Sequence, residues 1–161
     1  MHICFITTGG TIDKVYFDAQ SDFEVGETVL SHVLHRGETG FDYRIVELLR
    51  KDSLELTDED RRLIRATVEG GAERRFVITH GTDSMVETAR ALLGIEDKIV
   101  VLTGALSPAR FLSSDAEFNL GMAVAAVQCQ PPGVYIAMKG RIFDPLKVRK
   151  NRAANRFEAI D

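Results

Sequence analysis

Short apolar runs, each closed by turn residues, constrain this chain more than any other feature. They are His2-Ile3-Cys4-Phe5-Ile6, Phe76-Val77-Ile78, Ile99-Val100-Val101-Leu102 and Val134-Tyr135-Ile136-Ala137-Met138. A strand that is apolar without alternation is buried on both faces, as in parallel sheets covered by helices. Arg44-Ile45-Val46-Glu47-Leu48-Leu49 adds a further candidate strand. Helix signals fall between the runs. Thr57 reads as an N-cap before Asp58, Glu59 and Asp60, with Leu63, Ile64 and Val68 as the apolar stripe and Gly70-Gly71 as the stop. A second helix is expected from about Ser84 to Leu93, closed by Gly94. A third should open on a Ser114/Glu117 capping box and run to about Gln128, before Pro131-Pro132-Gly133. The alternation predicts an α/β fold in three layers, a mostly parallel sheet with helices on both faces. Residues 17–40 are poorly periodic and are expected to form a functional loop or lid.

The 161 residues suit a single domain, 1–161, and the proportions of 45% hydrophobic and 27% charged residues are ordinary for a globular chain. A net charge of −4 without a sustained basic block argues against nucleic acid as the main partner. The basic group Lys147, Arg149, Lys150, Arg152 and Arg156 reads as a solvated end. Cys4 and Cys129 look like small apolar residues rather than a disulfide, and His2, His32 and His35 lack metal-ligand spacing, so no metal is expected. No leader pattern and no apolar run near the ~20 residues of a membrane span are found. The expectation is a cytoplasmic protein with no membrane partner.

Two strand tips carry hydroxyls. Thr8-Gly9-Gly10-Thr11 follows the first run and Thr79-His80-Gly81-Thr82-Asp83 the second. Strand tips are where open α/β sheets bind ligands. The first segment reads either as a simple glycine turn or as a cradle of amide N–H groups for a carboxylate or oxyanion. It has neither Gly-Lys-Ser/Thr nor Gly-x-Gly-x-x-Gly, which excludes a phosphate loop or a dinucleotide turn. In the second, Thr82 or Asp83 could cap the next helix, but capping explains only one of them. A lone His80 fits a hydrogen-bonded structural residue better than a base. Neither Gly-x-Ser-x-Gly nor an active-site cysteine signature occurs. Two hydroxyls, one beside a carboxylate, can build an acyl-transfer site without a histidine base.

Together, Ile6-Thr7-Thr8-Gly9-Gly10-Thr11-Ile12 and His80-Gly81-Thr82-Asp83-Ser84-Met85 resemble the two signatures of the bacterial-type L-asparaginases and glutaminase-asparaginases. Lys51-Asp52-Ser53-Leu54-Glu55-Leu56-Thr57 and Thr103-Gly104-Ala105 resemble two further segments of that family, so the likeness runs in order from Ile3 to about Lys150. It implies a flavodoxin-like N-terminal domain with the family's C-terminal domain absent, that is, a short single-domain member. It implies hydrolysis of L-asparagine, with L-glutamine as a second substrate, through a threonine acyl-enzyme and with no cofactor. Thr11 matches the nucleophile, and Thr82 and Asp83 the second catalytic pair. Lys150 matches the family's lysine, with Lys147 as the alternative. Tyr16 is the choice for the loop tyrosine, although many relatives place it nearer Phe23, which has no hydroxyl; a packing role for Tyr16 is the other reading. Ser53 matches the binder of the substrate α-carboxylate, and Gly10 and Gly81 are expected to lend backbone N–H groups.

Two departures follow. Leu54 stands where relatives often carry a polar amide. In two-domain relatives, the second domain of a neighbouring protomer supplies an acid to the site; here Asp13, or another part of a partner subunit, could compensate. By analogy a homo-oligomer, dimer or tetramer, is expected. The other functions weighed are a non-catalytic amino-acid-binding module and an ammonia-supplying amidotransferase component.

Overall fold

The computed structural model describes residues 1–17 and 22–161, with positions 16, 17, 22 and 23 described by their backbone. In chain order the strands and helices are β1 (His2–Gly9), β2 (Lys14–Phe17), β3 (Asp22–Val25), α1 (Leu30–Arg36), β4 (Asp42–Lys51), α2 (Asp58–Gly70), β5 (Arg75–Thr79) and α3 (Met85–Ala91). There follow β6 (Ile99–Thr103), α4 (Ala116–Cys129), β7 (Gly133–Met138), β8 (Arg141–Phe143), β9 (Val148–Asn151) and β10 (Arg156–Ala159).

The central sheet runs β4-β1-β5-β6-β7-β8; β8 pairs antiparallel to β7 and the other pairs are parallel. Without β8 this is the flavodoxin-like order, in which the chain turns one way from β1 to β4 and then the other way to β5. The switch point therefore lies between β1 and β5, the two strands whose tips carry the threonine-glycine segments. Strand alternation divides the core into two layers. Ile3 and Phe5 of β1 pack with Leu30, Leu34, Leu120 and Ala123 of α1 and α4. Cys4 and Ile6 face the other way, onto Ile64 and Val68 of α2 and Met85 and Ala89 of α3.

The α2 cap forms as read: Thr57 accepts from the Asp60 N–H, and the Asp60 carboxylate accepts from the Thr57 N–H in return. The α4 cap does not. Asp115 occupies the N-cap and Ser114 Oγ accepts from Ala116 N–H at 3.0 Å, while Glu117 pairs with Arg36 at 3.5 Å. The 17–40 stretch contains β3 and α1, a helix too short to register as a periodic pattern. The β9–β10 hairpin likewise leaves no periodic signal in the sequence. Only Val148 and Phe157 of it are buried, and they join the α2/α3 layer beside Phe143. Among the described residues no helix is long and apolar enough to cross a membrane.

Candidate active site

Four loops meet at the C-terminal tips of β1, β4, β5 and β6. Gly10 sits at φ +86°, a left-handed conformation that an L side chain resists, and its Cα lies against the main chain of His80 and Gly81. A Cβ on Gly81 would in turn stand 2.7 Å from Ser53 Oγ. A Cβ on Gly104 would collide with the His80 carbonyl oxygen. The absence of side chains at these glycines lets the backbones of both signature loops and of the Ser53 turn stack directly. Thr11 follows Gly10 and Thr82 follows Gly81, so the two hydroxyl residues flank this contact.

Hydrogen bonds lock the stack. Thr8 Oγ1 donates to the Thr79 carbonyl at 2.9 Å, and the Ser84 hydroxyl donates to the Ser53 carbonyl. Gly10 N–H donates to the Lys51 carbonyl at 2.9 Å, so it is not free for a ligand, contrary to the expectation from the sequence. Gly10 contributes its missing side chain instead. Asn119, fully buried in α4, steadies the third tip: it donates to the Gly104 carbonyl at 2.9 Å and accepts from Lys139 N–H at 2.9 Å. An isolated asparagine on an apolar helix gave no sequence signal for this.

His80 is wholly buried between two partners. Its Nδ1 lies 2.6 Å from the Gly81 carbonyl, which can only accept, so Nδ1 carries the proton. Arg61 Nε donates to Thr88 Oγ1, leaving the Thr88 hydroxyl to donate to His80 Nε2 at 2.8 Å. Burial holds the imidazole down to about 4, hence neutral near pH 7. His80 braces the Gly81 loop.

Lys150 reaches this site from β9, with its Nζ 2.9 Å from Thr82 Oγ1 and 3.0 Å from Asn155 Oδ1. The ring of Phe157, its cross-strand neighbour, lies 5.3 Å from Nζ. Burial lowers the Lys150 pKa, Asp83 opposes that, and Arg152 adds to it. Arg152 also donates to the Asp83 carbonyl at 3.2 Å. Lys147, the alternative lysine, closes a short 3-10 turn, Pro145–Lys147, before β9. Arg90 of α3 holds the approach by donating to the carbonyls of Pro145, at 2.9 Å, and Val148, at 3.4 Å.

Asp83 borders an open cleft of about 830 Å³, shared with Lys14, Arg50, Asp52 and Glu55. Lys14 pairs with Asp52 at 3.0 Å across its floor. Asp13 does not line it. Its carboxylate is buried and accepts from Val29 N–H at 2.9 Å, and burial pushes it up to about 6. The place considered for Asp13 as a substitute acid is therefore corrected: it clamps the turn before α1. Tyr16 lies in β2 on the same rung as Phe23 of β3, so both positions open to the loop tyrosine share one place in the hairpin; the Tyr16 side chain lies outside the described structure. Among the described residues no cluster of three or more His, Cys, Asp or Glu could hold a metal.

The structure thus brings Gly10, Thr11, Ser53, Gly81, Thr82, Asp83 and Lys150 to one end of the sheet. Known proteins share the fold. The thermostable L-asparaginase from Thermococcus kodakarensis matches with a TM-score of 0.85 at 28% identity, covering 99% of this chain and 51% of that one. In sequence, the L-asparaginase of that organism is 31% identical over 175 residues, covering 100% of this chain and 52% of its own length. One component of the glutamyl-tRNA(Gln) amidotransferase of Methanococcus vannielii is 40% identical over 109 residues, 61% of this chain and 25% of that protein. The chain thus spans about half the length of the asparaginases it matches. The family model described as "Asparaginase, N-terminal" covers residues 2–161, and the chain belongs to the asparaginase family.

Proposed function

We propose that this chain is an amidohydrolase that releases ammonia from L-asparagine through an acyl-enzyme on Thr11. The observation that carries the reading is the 2.9 Å contact between Lys150 Nζ and Thr82 Oγ1, on a loop stacked against the Gly10-Thr11 turn. A binding module has no use for a partly buried amine held on a second threonine beside an aspartate. In this reading Thr11 Oγ attacks the side-chain amide carbon. Ammonia departs with the proton the hydroxyl gave up, and water then opens the ester. Lys150, its pKa lowered by burial, in its neutral form takes the proton of Thr82 as Thr82 takes one from the attacking water. The proton returns to the Thr11 oxygen when the ester opens. Asp83 binds the substrate ammonium and Ser53 its carboxylate. The acid that two-domain relatives draw from a neighbouring protomer is not replaced by Asp13, whose carboxylate is engaged elsewhere. The reading therefore includes completion of the site in a homo-oligomer.

The test is ammonia release over millimolar asparagine and glutamine by the parent, Thr11→Ala and Thr82→Ala. Both variants should fall by about 10²–10⁴-fold or more. Glutamine, one methylene longer, should be disfavoured by about 10–200-fold if the pocket is tight. Turnover that survives Thr11→Ala overturns the acyl-enzyme. The similarity to an amidotransferase component favours one second reading, a chain that supplies ammonia to a partner; turnover that appears only with a partner protein present would select it.

A further inference from the structure

The β9–β10 hairpin does more than carry Lys150 to the sheet. Its turn returns a side chain onto the same ammonium: Asn155 Oδ1 lies 3.0 Å from Lys150 Nζ, which also reaches Thr82. Asn155 sits at φ +46°, a left-handed conformation that asparagine tolerates better than most residues, and its N–H closes the turn onto the Arg152 carbonyl at 3.2 Å. The rest of the hairpin is braced around this point. Asn151 Oδ1 accepts from Ala154 N–H at 3.0 Å, and Glu158 gathers Asn151, Arg149 and Arg156 at 3.0, 3.1 and 2.8 Å. Phe157 packs under the lysine and against Phe143, with ring centroids 6.3 Å apart.

We propose that Asn155 is a positioning residue, which holds the Lys150 ammonium on Thr82 through a neutral oxygen. An ammonium has three N–H donors and no acceptor. A flexible lysine given Thr82 as its single partner would sample other rotamers. A carboxylate in place of Asn155 would fix it equally well but would bind the charged form and oppose loss of its proton. A carboxamide fixes the geometry and leaves the amine free to change protonation state. The charged groups facing Lys150 are Asp83 before α3, Asp115 before α4 and Arg152 in its own turn. Glu87 and Arg90 of α3 and Arg149 of β9 border the same small cavity, so Asn155 holds the amine in a setting already mixed in charge.

The kinetic consequence rests on the amidohydrolase reading; the geometric one does not. The test is therefore twofold, on the full chain with ¹³C-labelled lysine. The Lys150 signal is assigned by its disappearance in Lys150→Met, and its titration is followed by NMR in the parent, Asn155→Asp and Asn155→Gly. Both replacements suit the left-handed turn, so each variant can keep the hairpin. Asn155→Asp should raise the Lys150 titration by about one pH unit or more. The limb of the kcat profile for asparagine that reports Lys150 should move by the same amount. Asn155→Gly should lower kcat about tenfold with KM within about twofold of the parent. A Lys150 titration unmoved in Asn155→Asp overturns the proposal. A shifted titration in a protein that releases no ammonia sustains the contact and overturns the amidohydrolase reading instead.

Discussion

Single residues decide whether the site closes. Gly10 and Gly94 both hold left-handed φ, +86° and +84°, but only Gly10 has main chain where a Cβ would go; around Gly94 the space is open. Alanine at either position therefore carries the same backbone strain of about 1–2 kcal/mol. Gly10→Ala carries an overpacking cost of about 1–3 kcal/mol in addition. Unfolding free energies of the two variants from urea titrations should differ by that second amount, and equal losses would mean the loops can part without cost. Residue placement was legible where a side chain stands at the end of an apolar run, as with Thr11 and Thr82, which the fold brings to one end of the sheet. It was not legible where the partner is main chain. Gly10 N–H and the Asp13 carboxylate are both engaged by backbone groups distant in sequence, Lys51 and Val29, which no motif spacing reveals. Asn155 was hidden for a related reason: an asparagine in a polar turn is ordinary until the fold shows what lies 3.0 Å away.

At the scale of elements, the α2 cap ties the helix to the site. Asp60 completes the Thr57 box and also pairs with Lys51 at 2.8 Å, at the end of β4, two residues before Ser53. Thr57→Ala should cost about 1 kcal/mol and Thr57→Ser little, because a serine hydroxyl can still accept from the Asp60 N–H. Equal denaturation midpoints for parent and Thr57→Ala would show that Lys51 alone orients Asp60. The buried strands and α2 could be read ahead because their patterns are strong and local. The hairpin that delivers Lys150 could not, since half of its strand residues are charged and it is held by two buried apolar residues and Arg90. The Ser114/Glu117 motif does not close as a box: Ser114 accepts from Ala116 N–H, Glu117 pairs with Arg36, and Asp115, which accepts from the N–H groups of Leu106 and Ser107, takes the N-cap of α4.

Across the whole molecule, two buried groups titrate in opposition. His80, held down to about 4 from 6.5, is neutral in the fold while the unfolded chain takes up a proton, so it removes stability as pH falls through that window. Asp13, raised from 3.8 to about 6, works the other way: the fold binds its proton more tightly, so stability rises as pH falls between those values. Each contributes about 3 kcal/mol over its window, and between pH 6 and 4 they largely offset each other. Asp13→Asn keeps an acceptor for Val29 N–H and removes the compensation. From pH 6.5 to 4 its unfolding free energy should fall by about 3 kcal/mol more than that of the parent; parallel curves would refute the pairing.

The mostly parallel, helix-covered sheet was legible from alternation and its flavodoxin-like type from the family resemblance, while the strand order that fixes the switch point was not read from the sequence. The position of Lys150 along the chain has one more consequence. Every strand of the central sheet precedes it, and both signature loops are already stacked without it. As the polypeptide is made, the sheet and its threonines can take shape before the amine emerges. On the proposed reading of Lys150, a nascent chain would thus pass through a stage that is folded yet chemically silent until the β9–β10 hairpin follows.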